Sequence, residues 1–330
     1  MARNPHYFSQ LAHIEIYATN IEASINFFTD IVGLDETGRD ENSVYFRAWG
    51  DYFHHTLKIT KSDKQGLGHI GWRADSPEAL EDVVAYLESI GAGIGWDEGD
   101  MGHGKAYRFK SPEGHVNEVF WDVVWLRETG DKKSIYADRY ASNRHRAVNP
   151  RRIDHVTYMV AKFKYAEEKK FWQALGLRNP DEVRIDDNIP AIGGLWTTGN
   201  LSHDIAIFTD PNIEPNEAVL NHICFNFDSR EEVLLALDYF TEKGFKSVMG
   251  APTRHKADEG FFFYIIDPGS GYLFEFYACA RLIFAPDHGP DIHYLKDNPN
   301  DAWGNANPFA EMGKGKKLGL TDGVVKPQDV

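Results

Sequence analysis

Three apolar segments in the second half of the chain each contain one residue that could bind a metal ion. These residues are His155 in RIDHVTYMV, His222 in NHICFNF and Glu275 in YLFEFYA. Side chains along a strand alternate between two faces, so each of the three would lie opposite the apolar residues of its own strand. An unpaired buried carboxylate is very costly, so Glu275 requires a cation or hydrogen-bond donors. Two histidines and one carboxylate are typical of non-haem Fe(II) sites with open positions, and the same set accepts Mn(II).

An internal repeat determines where these residues stand. The segments LAHIEIYATNIEASINFFTDIVGL and RIDHVTYMVAKFKYAEEKKFWQALGL both indicate a strand followed by a helix, ending at Gly33 and Gly176. Later in each half, GHIGWRAD and NHICFNFD are followed by amphipathic helices that begin after Ser76 and Ser229. Pro77 favours a helix start, and Ser229 with Glu232 forms a capping-box pattern. The sequence therefore predicts an α+β fold of tandem β-α-β-β-β modules, two in each half.

Composition restricts the class of partner and the compartment. The chain has 330 residues, enough for two domains, and its formal net charge of −15 argues against nucleic acid or an anionic membrane as a partner. No apolar run approaches the roughly 20 residues that span a bilayer, and the N-terminus lacks the apolar core of a signal peptide. Cys224 and Cys279 lie in apolar, strand-like segments, which favours a reducing cytoplasm over a disulfide framework.

Changes in composition along the chain suggest domain boundaries. We predict an N-terminal domain over residues 1–124 that is not catalytic, a polar and Arg-rich linker over 125–150, and a C-terminal metal-binding domain over 151–280. Residues 281–330 are rich in Pro, Asp, Asn and Gly, and are expected to form a covering segment and a tail. A homo-oligomer, either a dimer or a tetramer, is the expected assembly.

With these motifs in place, the chain resembles the type I extradiol (catechol 2,3-) dioxygenases of the vicinal oxygen chelate superfamily, and most closely their homoprotocatechuate 2,3-dioxygenase branch. The resemblance covers nearly the whole chain and includes DENSVYFRAWGDYFHHTLKI and DAWGN. It implies two incomplete mixed β-barrels, with one Fe(II) held by His155, His222 and Glu275. The implied reaction is extradiol cleavage of a catechol by O2, which gives a 2-hydroxymuconic semialdehyde.

The resemblance also implies which side chains assist the reaction. His203 in SHDIAIF would stabilise reduced oxygen and act as an acid, while His255 and Tyr264 in TRHKADEGFFFYIIDP would hydrogen-bond the substrate oxygens. Two further residues are candidates for substrate binding. Arg254 could hold a carboxylate on the ring substituent, or be a solvated surface residue. Trp196 could contact the aromatic ring, or be a core residue.

The N-terminal half leaves one question open. His13, His69 and Glu118 stand at the positions equivalent to the three metal ligands, with His54 and His55 between them and Tyr107 eleven residues before Glu118 (118 − 107). They are either a second metal site or a relic of duplication.

Other functions on the same fold also stay open. They are a glyoxalase-like isomerase, a hydroxyphenylpyruvate-type dioxygenase, and a small-molecule-binding protein without a metal triad. None of them would require His203, His255 and Tyr264 together.

Overall fold

The computed structural model of the chain describes residues 5–126, 133 and 147–304. Most of the predicted linker, and the tail beyond residue 304, lie outside the described residues. The strands of the N-terminal half are β1 (Phe8–Ala18), β2 (Asp35–Arg39), β3 (Ser43–Arg47), β4 (Leu57–Lys61), β5 (Gly66–Ala74), β6 (Gly93–Asp97), β7 (Ala106–Lys110) and β8 (Val116–Phe120). The strands of the C-terminal half are β9 (Arg152–Ala161), β10 (Arg178–Arg184), β11 (Gly193–Thr197), β12 (Ile205–Asp210), β13 (Val219–Asn226), β14 (Thr253–Arg254), β15 (Phe261–Ile266), β16 (Leu273–Ala278) and β17 (Asp291–Tyr294).

One helix follows the first strand of each module. The helices are α1 (Ile21–Asn26), which continues as a π-helix over Phe27–Val32, α2 (Pro77–Ser89), α3 (Tyr165–Ala174) and α4 (Arg230–Glu242). The π-helix ends at Gly33 with a φ of 83°, a left-handed conformation that glycine adopts without a steric penalty. The hydroxyl of Ser229 accepts the N–H of Glu232, as predicted, but the Glu232 carboxylate accepts the N–H of Asp228 rather than that of Ser229. No helix of the described residues is both long enough and apolar enough to cross a membrane.

The pairing of the strands confirms the predicted modules. In each module the first strand pairs in parallel with the last, and the first strands of the two modules in one half pair with each other in antiparallel fashion. The N-terminal sheet has the order β2-β3-β4-β1-β5-β8-β7-β6, and the C-terminal sheet the order β14-β15-β16-β13-β9-β12-β11-β10-β17. The result is an α+β fold of two mixed sheets. Strand β17 lies outside the repeated modules and pairs with β10 at one edge of the second sheet.

A single hydrophobic core joins the two halves. Phe28 packs edge-on against Phe274 at 4.8 Å between ring centroids, and Trp72 packs against Trp172 at 5.5 Å. Val156, Tyr158 and the other apolar residues of their face of β9 belong to this core, whereas the side chains of alternate residues lie on the opposite face. Each sheet thus has one face available for polar side chains.

Candidate metal centre

The three predicted ligands of the C-terminal half meet on adjacent strands. His155 is on β9, His222 on β13 and Glu275 on β16, which are neighbours in the sheet. Glu275 Oε2 lies 2.9 Å from His155 Nε2 and 3.3 Å from His222 Nε2. All three donor atoms lie within 4.8 Å of one another, and all three side chains are buried.

This arrangement fits a divalent metal ion. Glu275 Oε2 has no hydrogen-bond partner among the described residues, although two imidazole nitrogens lie close to it. Atoms bound to a metal at about 2.1 Å, with angles of about 90–110°, are separated by about 3.0–3.4 Å, so the observed separations suit a shared ion. An ion between the three atoms would also remove the cost of burying an unsatisfied carboxylate oxygen.

Two side chains that the sequence analysis missed orient the histidine rings. Asp154 Oδ1 lies 2.9 Å from His155 Nδ1, and Asn221 Oδ1 lies 2.6 Å from His222 Nδ1. Such contacts fix the tautomer that leaves Nε2 available to a metal. The sequence does contain a signal for this contact, because Asp154 and Asn221 each directly precede the histidine that they orient.

Burial and neighbouring charges shift the pKa values of all three predicted ligands. Burial alone would lower the pKa of His155, but its contacts with Asp154 and Glu275 outweigh burial and raise that pKa to about 9. Burial dominates at His222 and lowers its pKa. Burial would raise the pKa of Glu275, but the neighbouring histidines hold it well below its usual range. Glu275 is therefore a carboxylate, the form that binds a metal.

His203 lies beside the metal ligands without being one of them. It is two residues before β12, the strand next to β9, and its ring centroid is 3.8 Å from that of His155. Its Nδ1 is 2.9 Å from the hydroxyl oxygen of Ser202 and 3.7 Å from Asp258 Oδ2. Burial, with the charge of His155, lowers the pKa of His203 well below its usual value.

His255 and Tyr264 face the same centre from the other side. His255 Nε2 lies 3.4 Å from Glu275 Oε1, and its Nδ1 donates to the carbonyl oxygen of Asn300 at 3.0 Å. Tyr264 pairs directly with Glu275 in the register of β15 and β16, and burial raises the pKa of its phenol well above the usual value. Burial would lower the pKa of His255, but the charge of Asp258 and the contact with Glu275 raise it.

A cavity of about 50 Å³ connects these groups. Its lining includes every predicted metal ligand and catalytic residue: His155, His222, Glu275, His203, His255 and Tyr264. Pro299 and Asn300, from the segment expected to cover the site, also line it. A larger apolar cavity of about 360 Å³ adjoins it and shares four lining residues with it: Val183, Phe208, Pro299 and Asn300.

The structure does not bring the two predicted substrate-binding residues to this cavity. Arg254 donates from Nη2 to Glu259 Oε2 at 2.7 Å and from Nε to the carbonyl oxygen of Glu259, which keeps its guanidinium at the surface. Trp196 is fully buried in the hydrophobic core. Strand alternation explains its position, because its neighbour Leu195 lines the cavity and Trp196 therefore faces away.

The residues singled out in the N-terminal half also converge. His13, His69 and Glu118 are buried, with donor atoms within 4.8 Å of one another. Tyr107 does not join them, because it pairs with Val119, while Arg108 pairs with Glu118. The spacing of eleven residues, which Tyr107 shares with Tyr264, therefore does not identify the counterpart of Tyr264.

Comparison with known proteins shows which proteins this chain is similar to in sequence. The model of the Glyoxalase/Bleomycin resistance protein/Dioxygenase superfamily matches residues 10–119 and 152–276. A metapyrocatechase of Geobacillus stearothermophilus is 36% identical over 328 residues, which cover 97% of this chain and 96% of that protein. A manganese-dependent 2,3-dihydroxybiphenyl 1,2-dioxygenase of Geobacillus genomosp. 3 is 35% identical over 289 residues, covering 86% of this chain and 89% of that protein.

The fold is similar to those of solved 2,3-dioxygenase structures. The 2,3-dioxygenase LapB from Pseudomonas sp. KL28 has a TM-score of 0.79 at 27% identity, covering 89% of this chain and 99% of that one. Homoprotocatechuate 2,3-dioxygenase from Arthrobacter globiformis has a TM-score of 0.81 at 20% identity, covering 98% of this chain and 95% of that one, which is a likeness of fold.

Proposed function

Because this chain belongs to the glyoxalase/bleomycin resistance protein/dioxygenase superfamily, we propose that its C-terminal metal centre cleaves catechols in the extradiol manner. The bond between one hydroxyl-bearing carbon and the adjacent ring carbon that bears no hydroxyl is broken, and both atoms of O2 enter the product, a compound of the 2-hydroxymuconic semialdehyde type. One observation carries the proposal: the cavity that contains the unsatisfied Glu275 oxygen also contains His203, His255 and Tyr264. The relatives named metapyrocatechase and 2,3-dihydroxybiphenyl 1,2-dioxygenase support it.

His155, His222 and Glu275 would hold the metal, and Fe(II) is the ion we propose. When bound, a divalent ion of this kind stabilises the ionised catechol and provides open positions for substrate and O2. Mn(II) is the second candidate, since one relative that is 35% identical is named manganese-dependent. The ligand set suits both ions.

The other cavity residues would manage protons. His203 is held at Nδ1 by Ser202, so its ring presents a fixed group that can exchange a proton with substrate oxygen. His255 is fixed at Nδ1 by the Asn300 carbonyl and on one face by the ring of Phe262, whose centroid is 3.7 Å away. The phenol of Tyr264 stays protonated and would donate a hydrogen bond to a catechol oxygen.

The adjoining cavity suggests the class of substrate. Its lining is predominantly apolar, with Val183 and Phe208 shared by the two cavities. Arg254, the residue expected to bind a carboxylate, is paired with Glu259 outside both cavities. We therefore propose that the substrate is a catechol with an apolar substituent, such as an alkyl or aryl group.

A direct experiment tests the reaction and its location. The protein is loaded anaerobically with Fe(II) or Mn(II), mixed with air and a panel of catechols, and followed by the absorbance of the yellow product. His222→Ala should abolish the colour, whereas His69→Ala should retain it. Loss of colour only in His69→Ala would move the reaction to the N-terminal half. Absence of colour with every catechol, despite bound metal, would contradict the proposed function and favour an isomerase or a binding protein.

We also propose that the protein is a cytoplasmic homo-oligomer. Both cysteines are unpaired, with Cys224 buried and Cys279 exposed, which supports a reducing compartment. Mass photometry of the purified protein would test the assembly, and a single species with the mass of one chain would contradict it.

A further inference from the structure

The buried cluster of the N-terminal half has the same construction as the candidate metal centre. His13 is on β1, His69 on β5 and Glu118 on β8, which are adjacent strands in their sheet. Glu118 Oε1 lies 3.2 Å from His13 Nε2 and 3.3 Å from His69 Nε2, and the two nitrogens are 2.8 Å apart. These separations are close to the about 3.0–3.4 Å expected between atoms that share one ion.

Two polar atoms of this cluster have no hydrogen-bond partner among the described residues, although His13 Nε2 and His69 Nε2 are within hydrogen-bond distance of each other. Glu118 is 1% exposed, and its Oε1 has no hydrogen-bond partner among the described residues. A third imidazole nitrogen, His103 Nε2, lies 3.2 Å from the same oxygen and also lacks a partner. His103 Nδ1 is 2.9 Å from the carbonyl oxygen of Gly104, which only accepts, so Nδ1 carries the proton. In the neutral ring, the lone pair of Nε2 therefore faces a carboxylate oxygen, and a cation between them would remove the repulsion.

The surroundings of the cluster are those of a metal site. His69 Nδ1 lies 2.9 Å from Glu15 Oε2, the carboxylate–histidine contact that orients a ligand ring towards a metal. Glu15 is itself fixed by the hydroxyl of Thr60 and by Lys58 Nζ at 3.3 Å. Gly71 makes room for the cluster, since a Cβ at that position would lie 2.3 Å from the His13 ring.

From these contacts we propose that His13, His69, His103 and Glu118 bind a second divalent transition-metal ion, separate from the C-terminal centre. Imidazole and carboxylate donors suit Mn(II), Fe(II), Co(II) or Zn(II). His103 belongs to the loop between β6 and β7, whereas the other three ligands are on strands. The ion would therefore tie this loop to the sheet.

This second site does not cleave catechols. Arg108 pairs with Glu118 where Tyr264 pairs with Glu275, and its Nε lies 3.5 Å from Glu118 Oε2. The cavity beside the cluster is about 10 Å³, against about 50 Å³ at the C-terminal centre. Such a cavity has room for about one water molecule, and four protein ligands are typical of closed, structural sites.

Metal stoichiometry tests the proposal on the full chain. The protein is stripped with chelator, reloaded with Mn(II), Co(II) or Zn(II) in separate samples, desalted and measured by mass spectrometry of the metal. We expect two ions per wild-type chain, one in His222→Ala, one in Glu118→Gln and none in the double variant. Glu118→Gln preserves the side-chain shape, and circular dichroism verifies that each variant is folded. Anomalous diffraction of the loaded protein should show a peak in contact with His13, His69, His103 and Glu118.

Matched variants make the result decisive. His54→Gln changes a half-buried histidine beside the cluster that is not a proposed ligand, so it should retain two ions. In the His222→Ala variant, chelator should lower the melting temperature, because it removes the one remaining ion. Adding Glu118→Gln to that variant should abolish the effect of chelator. One ion in the wild type and none in His222→Ala would overturn the second site. Two ions in Glu118→Gln would overturn this assignment of its ligands.

Discussion

Tyr264 lies directly opposite Glu275 in the antiparallel pair of β15 and β16, so a phenol and the carboxylate that we propose as a metal ligand share one face of the sheet. The equivalent pair in the N-terminal half is Arg108 with Glu118. Arg108 and Glu118 are separated by ten residues along the chain (118 − 108), whereas Tyr264 and Glu275 are separated by eleven (275 − 264). A shift of one residue moves a side chain to the other face of the sheet. Two duplicated halves therefore retain the same ligand geometry but differ at the position that would contact the substrate.

Tyr264→Phe removes only the hydroxyl that we expect to hydrogen-bond the substrate. Activity, measured as kcat/KM from O2 uptake, should fall on the order of 10²-fold, because the donor positioned at a reacting oxygen is lost. Metal content should not change. Tyr272→Phe removes a hydroxyl outside the cavity and should leave activity close to wild type. Equal activity in the two variants would show that the Tyr264 phenol has no role in the reaction.

His203→Gln tests proton transfer at the cavity. The side chain is 3% exposed and lies beside His155 without contributing to the ligand set. The variant should bind metal as wild type does, whereas kcat should fall by about 10²–10⁴-fold, since glutamine cannot exchange a proton near neutral pH. The pH dependence of kcat should also change, which a purely structural role would not produce. Loss of metal together with activity would instead indicate that His203 supports the metal centre.

Asp154 should control metal affinity through His155. Asp154→Ala removes the contact with His155 Nδ1 and should weaken metal binding about 10–100-fold, as expected for a residue that orients a ligand. Asp154→Asn keeps an oxygen that can accept from Nδ1 but loses the charge, so its affinity should be intermediate. Titration of the metal-free protein with Mn(II) measures all three. Equal affinities would mean that strand packing alone orients the His155 ring.

Much of this architecture could be predicted from the sequence, because it depends on local patterns. The repeat of strand and helix signals gave the modules, and alternation along β9, β13 and β16 placed His155, His222 and Glu275 on one face. The matching positions of these ligands in a duplicated unit predicted that they would meet. The structure brings them, with His203, His255 and Tyr264, to one cavity.

Other features depend on contacts that no local pattern contains. Arg254 is turned away from the cavity by Glu259, and Trp196 by the alternation of β11. His103 was missed because it belongs to a loop, where no periodicity assigns a face. The register of a hairpin, which decides between Tyr107 and Arg108, requires the turn length that only the folded chain shows.

Ala191→Trp should distinguish substrates by their substituent. Ala191 lines the large apolar cavity but not the cavity at the metal ligands. An indole there should raise KM for catechols with an aryl or long alkyl substituent, by roughly 10-fold or more, because about 1–3 kcal/mol of apolar contact is lost. Unsubstituted catechol should be processed as by wild type. Equal effects on both substrates would contradict the assignment of this cavity to the substituent.

His115 should make the stability of the protein fall in mild acid. It is buried where the two halves meet, with Nε2 3.4 Å from the carbonyl oxygen of Val219 and its ring 4.1 Å from that of Tyr158. Burial lowers the pKa of His115 from 6.5 to about 4. Between these values the unfolded chain binds the proton and the folded chain does not. Stability is therefore complete above pH 6.5 and is lost as the pH falls towards 4, with a slope of up to about 1.4 kcal/mol per pH unit from this residue.

His115→Gln removes that titration while retaining hydrogen-bonding atoms. Urea unfolding of the metal-loaded protein at several values between pH 7 and pH 4.5 should show a shallower decline in the free energy of unfolding than in wild type. Both proteins contain the same metal ligands, so the difference between their slopes isolates His115. If the free energy of unfolding falls with the same slope in wild type and His115→Gln, His115 accepts a proton as easily in the folded protein as in the unfolded chain. Its burial between the halves would then not oppose its charge.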